Sequence, residues 1–401
     1  TMSRPYDVMI AGHVCFDVIP RFPDTGAKSI GDIMRPGKLV EMGDVKMSTG
    51  GPVSNTGIGL KILGNNVCFS ARTGDDDFGK LTLEYLQRTG NAEGIHVVPG
   101  SVSSYTVVVA PPNIDRIFLH NPGTNNEYRA DDLDPALIAQ CKHFHFGYPP
   151  LMRSMYENEG RELQRVFQIA KEAGATTSCD MALPDPASVA GKAPWARILA
   201  NILPYIDIYL PSIEESFYML EPEAFLQMKE KHQGADLIDF LTPEDYDRIA
   251  TKLLSLGCKM TSLKSGHRGY YFRTGSKALF DGMGAARPGD ADNWDNRELW
   301  CPAFAAPNLA SATGSGDSSI SGFLTAFLRG YTLEESLKCA NCLGWQNVQV
   351  LDAISGIHTW GETLDLLKKK MPMNDVHISS PGWKWHDGLD LWSGPADILS
   401  K

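Results

Sequence analysis

The sequence predicts an α/β fold: a mainly parallel central sheet covered by helices on both faces, with a second, small β-sheet set apart from it. Three observations predict this. Apolar strand-like runs alternate with helical patterns through most of the 401 residues, the patterning of linked βαβ units. Two stretches, 18–49 and 103–120, interrupt that alternation with short strands broken by Gly and Pro. A loop of small residues at 311–316 then runs into an apolar helical segment ending near Arg329.

Taken in order, Tyr6 to Gly12 is a short apolar run ending in Gly, which reads as a buried parallel strand. It is too short, and too lacking in a small-residue cleavage pattern, for a signal segment. Asp17 follows. Ligands of open α/β sheets gather at the carboxyl ends of the strands, so Asp17 is a candidate substrate residue. Val18–Pro20, Lys38–Met42 and Val45–Met47 read as short strands of the small sheet, as do Tyr105–Ala110 and Arg116–His120; that sheet is placed at about 14–49 and 101–122. Gly50-Gly51 leads into a helix from Ser54 to Leu63. The glycine pair opens backbone N–H groups to substrate hydroxyls, and Asn55 both donates and accepts hydrogen bonds, which suits a polyol.

Val67–Thr73 is the next strand and Phe78–Arg88 the next helix. Between them, Gly74 to Leu81 approaches a phosphate-binding Gly-x4-Gly-Lys-[Ser/Thr] loop. Leu81 lacks the required hydroxyl and three Asp residues would repel phosphate, so the stretch reads as a structural or substrate-side turn. Helices are expected over Asp131–Gln140 and Met155–Glu172, and strands over His143–Phe146, Thr176–Cys179, Ile206–Leu210 and Met260–Lys264. Tyr270–Arg273 and Lys277–Phe280 read as a hairpin around Gly275. Residues 221–242 and 284–300 read as insertions. Thr332–Gln349 is a helix, and 356–401 an extension beyond a domain spanning 1–355, with one helix at Gly361–Lys370.

The chemistry concentrates at Ser311-Ala312-Thr313-Gly314-Ser315-Gly316-Asp317. Early helical N–H groups lack internal partners and carry partial positive charge, so this terminus is a candidate anion site. A site that only held phosphate would not place Asp317 there. Two readings stand: Asp317 caps the helix, as Asp often does, or it takes a proton from an attacking hydroxyl beside a bound phosphoryl group.

This stretch resembles the carboxyl-terminal signature of the ribokinase/PfkB family of carbohydrate kinases, Asp-Thr-x-Gly-Ala-Gly-Asp. Gly50-Gly51-Pro52-Val53-Ser54-Asn55 resembles the family's Gly-Gly-x-x-x-Asn, and Gly74-Asp75-Asp76-Asp77-Phe78-Gly79 its Gly-x-Asp-x-Phe-Gly turn. The resemblance covers roughly 6–355. It implies a ribokinase-like three-layer sandwich with the small sheet as a β lid, and ATP-dependent phosphorylation of a sugar hydroxyl. It further implies Asp317 as general base; Gly314, Ser315 and Gly316 as an anion hole; and Asp17, Gly50, Gly51 and Asn55 around the sugar. Lys264, Gly266 and Gly269 are implied under the nucleotide, Asn341 near its adenine, and Glu215 organising Mg2+. The chain departs from the pattern at Ser311 and Ala312, where many relatives hold a monovalent cation, so weak or absent potassium activation is expected. Ser212 and Ala182 also depart from family Asn positions.

Net charge of −11 argues against nucleic-acid and anionic-membrane partners, and no run of 18 apolar residues predicts a transmembrane helix. The eight cysteines read as core residues in a reducing cytoplasm; Cys339-x-x-Cys342 lacks a second pair at zinc spacing. The expected partners are a small-molecule sugar or nucleoside, with the lid as a candidate homodimer surface. A nucleoside kinase and a catalytically weakened sugar- or nucleotide-binding regulator remain as alternatives. A dinucleotide-dependent oxidoreductase is disfavoured, because Gly12 to Asp17 lacks the Gly-x-Gly-x-x-Gly pattern.

Overall fold

In a computed structural model, which describes residues 3–400, the chain forms one eleven-stranded sheet and one four-stranded sheet. The strands are β1 (Tyr6–Gly12), β2 (Cys15–Pro20), β3 (Val45–Gly50), β4 (Val67–Gly74), β5 (Asn91–Val98), β6 (Tyr105–Val109), β7 (Ile117–Asn121) and β8 (Cys141–Gly147), then β9 (Thr176–Asp180), β10 (Ile208–Tyr209), β11 (Met260–Lys264), β12 (Tyr270–Thr274), β13 (Glu298–Cys301), β14 (Lys384–His386) and β15 (Leu391–Ser393). The large sheet has the order β14-β15-β13-β12-β11-β10-β9-β8-β1-β4-β5. It is parallel from β5 to β11 and antiparallel from β12 outward.

Because successive strand residues face opposite sides, β1 divides its apolar side chains between two cores. Met9 and Ala11 join one buried cluster, while Val8 and Ile10 join the other. The first cluster is covered by amphipathic helices such as Arg161–Glu172, which buries Leu163, Val166, Phe167 and Ala170 at helical spacing. The second is covered by the helices Gly51–Ile62, Ser315–Leu328 and Leu333–Val348. This is the predicted three-layer arrangement.

The small sheet, ordered β3-β2-β6-β7, is the predicted lid. Its β2 continues from β1 and its β3 feeds the Gly51–Ile62 helix, so the lid hangs over the carboxyl ends of the central strands. Phe78 fastens it, stacking on Phe16 at 5.4 Å and lying 5.5 Å from Tyr105. The Gly74–Gly79 turn is structural: Asp76 accepts from the amides of Gly79 and Ser103, and Asp75 from that of Gly100.

Several local expectations are corrected. Lys38–Met42 is not a strand; β2 already has β3 and β6 on its two edges, and Leu39 is left exposed. Lys277–Gly282 is a 3-10 turn rather than a hairpin arm, since β11 and β13 occupy both edges of β12. Only Pro135–Ile138 of the 131–140 segment is α-helical. The 155–172 helix is broken at Asn158 and Glu159, both left-handed. The 284–300 stretch enters the core in part: Trp294 and Trp300 are fully buried and its last residues form β13, while 285 and 289–292 stay exposed.

Residues beyond 355 supply β14 and β15 to the sheet edge. Buried Arg297 ties them in, donating to Asp397 at 2.9 Å and Glu334 at 2.7 Å. The eight cysteines are free and buried, and among the described residues no helix is long and apolar enough to cross a membrane.

Candidate active site

The Ser315–Leu328 helix begins from Gly314, whose φ of +77° a residue with a Cβ would adopt only under strain, and a Cβ there would also meet Ala353. Gly314 is therefore the cap residue. Asp317 falls in the first turn and makes no capping bond. Its fully buried carboxylate instead accepts from Asn55 Nδ2 at 3.0 Å and from the Tyr148 hydroxyl at 3.0 and 3.1 Å. Burial, reinforced by the charge of Asp180, raises its pKa to about 6; the bonds from Asn55 and Tyr148 oppose the rise. Of the three loop amides singled out in the sequence, that of Ser315 closes back on the Ala312 carbonyl at 3.2 Å. Ser315 thus shapes the turn.

Behind this turn sits a buried charge cluster. Lys264, at the end of β11, pairs with Asp180 at the end of β9 at 2.8 Å. A Cβ on Gly316 would lie 3.5 Å from the Lys264 ammonium. The cation, at the strand end where the sequence placed it, therefore lies behind the Gly314–Asp317 turn. Burial alone would lower Lys264, but Asp180 and Glu215 hold it above its ordinary value. Glu215 completes a capping box, accepting from the Ser212 amide at 2.8 Å while Ser212 Oγ accepts from its own. Its pKa is raised to about 7 by burial and by Asp180, against the pull of Lys264. One ammonium thus serves three carboxylates, Asp180, Glu215 and Asp317. Among the described residues no group of three or more His, Cys, Asp or Glu is arranged to hold a metal ion, so Asp180 and Glu215 would meet a divalent cation such as Mg2+ only together with oxygens of a bound nucleotide or water.

In front of Asp317 opens a cavity of about 940 Å³ roofed by the lid. Its inner wall carries His13, Asp17, Gly51, Asn55, Thr106, His120 and Tyr148; its outer wall mixes apolar Ile19, Phe22, Val45, Val108 and Phe118 with the charged Arg21, Asp44, Lys46 and Arg116. Asp17 accepts from the Cys15 thiol at 3.3 Å, and burial raises its pKa to about 6. The glycine pair makes the inner wall possible. A Cβ on Gly50 would overlap the Asp17 carboxylate, and Gly51, at φ +80°, lies where a Cβ would run into His13. Two contacts join lid and body across the cavity: Arg116 donates to Thr313 Oγ1 at 2.6 Å, and Lys46 pairs with Asp352.

The structure therefore brings Asp17, Gly51, Asn55, Gly314 and Asp317 to one cavity; Gly50 and Gly316 lie beside them in the same turns without lining it, and Lys264 and Glu215 join the cluster behind it. Gly266 and Gly269 lie elsewhere, in a turn closed by Ser265 and Gly269 backbone bonds. The 221–242 insertion packs on this turn, with Ile238 accepting from Arg268 and Asp239 pairing with His267. Asn341 is 6% exposed and spends its amide on the carbonyls of Cys301 and Pro302. It braces that backbone rather than offering its amide to a nucleotide.

Sequence reasoning missed Tyr148, Asp180's pairing with Lys264, and His13. Asp180 closes a strand, and His13 and Tyr148 directly follow one, the one local signal that marks such positions.

Comparison with known proteins agrees with this fold. Residues 7–360 match the model of the pfkB family carbohydrate kinases. Fructokinase-1 of Zea mays is 24% identical over 341 residues, covering 80% of this chain and 88% of its own. Fructokinase-2 of Solanum lycopersicum is 26% identical over 349 residues, covering 82% and 90%. The solved Arabidopsis thaliana ribokinase, complexed with ribose and ATP, superimposes with a TM-score of 0.66 at 19% identity, covering 92% of this chain and 99% of its own. With its fold, its glycine-capped helix and its family match in agreement, the chain belongs to the pfkB family of carbohydrate kinases.

Proposed function

We propose that this carbohydrate kinase transfers the γ-phosphoryl group of ATP to a hydroxyl of a sugar, with Asp317 as general base and the Gly314–Asp317 turn as the anion hole. The observation that carries the reading is the convergence at one cavity floor of a buried carboxylate, unpaired helix N-terminal amides and a backing ammonium. Amides held in place stabilise charge on a transferring group without reorganising, which is where such catalysts gain most. Lys264 adds a fixed positive charge from behind the turn.

Asn55 and Tyr148 aim the Asp317 carboxylate into the cavity, and Asp317 removes the acceptor proton as the new O–P bond forms. A pKa near 6 leaves it ionised at neutral pH. Mg2+-ATP, when bound, supplies the phosphoryl group and the metal that neutralises its oxygens, and Glu215 and Asp180 are the residues that would face that metal. Asp17, Gly50, Gly51 and Asn55 are the proposed contacts for the sugar. Gly266 and Gly269, with Asn341 as a brace, are proposed to shape the nucleotide side. The lid, held down through Arg116 and Lys46, excludes water that would compete as acceptor.

A nucleoside acceptor is the second reading, and the apolar side chains Ile19, Phe22, Val45, Val108 and Phe118 among the cavity lining support it, since a base could pack against them. ADP release measured over sugars and nucleosides tests both. Turnover of a free sugar supports the first reading, turnover of nucleosides alone the second, and turnover of neither refutes the kinase. The exposed side chains of Ile117, Phe118 and Leu119 on β7, an edge strand of the lid, support the lid as a homodimer surface. Eight buried free thiols suit a reducing compartment such as the cytoplasm, and no nucleic-acid or membrane partner is proposed for a chain of net charge −11.

A further inference from the structure

His13 occupies the bend between β1 and β2, where the central sheet hands over to the lid. It lines the acceptor cavity yet is only 2% exposed. Among the described residues no group pairs either of its ring nitrogens. Buried polar atoms are nearly always hydrogen-bonded, and each one left bare is costly. The bend does not require a histidine: the backbone bonds there are made by the His13 amide and carbonyl, to Gly147 and Val53. A leucine would fill the volume without that cost.

A second bare atom lies on the same wall. Asn55 donates its Nδ2 to Asp317, an orientation imposed by a carboxylate that only accepts. Its Oδ1 is then buried with no partner in the protein. The ring of His120, reaching in from lid strand β7, lies 5.4 Å from that of His13, and that of Tyr148 6.1 Å away. Burial pushes His13 down to about 3, with the neighbouring His120 adding to the effect. The imidazole is therefore neutral, with one donor and one acceptor nitrogen. Such a ring matches a hydroxyl, which also donates and accepts. It does not match an anion, which Asp17 and Asp317 on the same wall would repel.

We propose that His13 is a specificity-determining residue of the acceptor pocket, exchanging hydrogen bonds with a non-reacting hydroxyl of a neutral polyol whose adjacent hydroxyl donates to Asn55 Oδ1. This rests on the kinase reading above. The residue selects the acceptor and leaves the nucleotide side untouched.

The test uses the full chain with ATP and D-fructose or D-ribose, and deoxy analogues of whichever is phosphorylated, comparing the parent with His13→Leu and His13→Gln. The expected result is an acceptor KM raised about tenfold or more in His13→Leu, the scale of a lost buried hydrogen bond, with the KM for ATP unchanged. Removing one particular sugar hydroxyl should weaken the parent but not His13→Leu, and His13→Gln, which both donates and accepts, should recover part of the loss. Melting temperature should not fall in His13→Leu, because two unpaired polar atoms leave the interior. An unchanged acceptor KM, a parallel rise in the KM for ATP, or deoxy analogues that discriminate equally in parent and variant would overturn the proposal. Failure of the parent itself to phosphorylate any sugar refutes the kinase reading and takes this inference with it, an outcome visible before any variant is made.

Discussion

Replacing Asp317 with Asn separates chemistry from folding. The side chains match in shape, and the site accommodates the change. Asn55 needs only to turn its amide so that its bare Oδ1 accepts from the new Nδ2, while Tyr148 continues to donate to the remaining oxygen. Loss of a general base costs about 10²–10⁴ in turnover, so kcat should fall by that factor with the KM for ATP little changed. Stability should move the other way. Raising a carboxyl from its ordinary 3.8 to about 6 on folding corresponds to about 3 kcal/mol. The sign follows from linkage: between those two values the folded state binds more protons than the unfolded one, so stability falls as pH rises through that window. Above it, Asp317 opposes folding by the full amount, and the neutral Asn removes that opposition. The assay is ADP release at saturating sugar, paired with thermal melts at pH 5 and pH 8. The variant should be inactive by orders of magnitude, no less stable at pH 8, and should have its stability advantage shrink at pH 5. The parent's kcat/KM should fall with acidity near pH 6. A variant within tenfold of parental turnover, or a parent rate flat through pH 6, would remove Asp317 from the base role.

Three further outcomes are expected. Lys264→Met leaves Asp180 and Glu215 without their shared cation, which should destabilise the fold by about 3–5 kcal/mol; a melt unchanged from the parent would show that the pair carries no such weight. Gly314→Ala forces a Cβ against Ala353 at a left-handed position. It should depress turnover far more than it changes acceptor affinity in an equilibrium sugar titration, and parental turnover would disprove the cap geometry. Exchanging sodium for potassium should leave the rate unchanged because Ser311 and Ala312 provide no carboxylate at that loop, and strong activation would contradict this.

The parts of this molecule legible in its residues alone are those decided by neighbours in the chain. Alternating strand and helix patterns announced the layered sheet, because burial periodicity is local. The Gly314-Ser315-Gly316-Asp317 bend and the Gly50-Gly51 pair announced themselves because only glycine tolerates those backbone angles or that proximity. What the order of strands decides could not be read this way. Asp180, Glu215 and Lys264 follow three different strands and become a charge cluster only because β9, β10 and β11 lie side by side. Tyr148 meets Asp317 across 169 residues of sequence, and His13 faces the cavity only because the lid folds over it. The same reason explains the misread segments: whether 277–280 pairs as a strand depends on which edge of β12 is free. The tail's β14 and β15 likewise found a partner that no local pattern names. Local sterics write the turns; long-range hydrogen-bond ladders and close packing choose which of their polar ends meet.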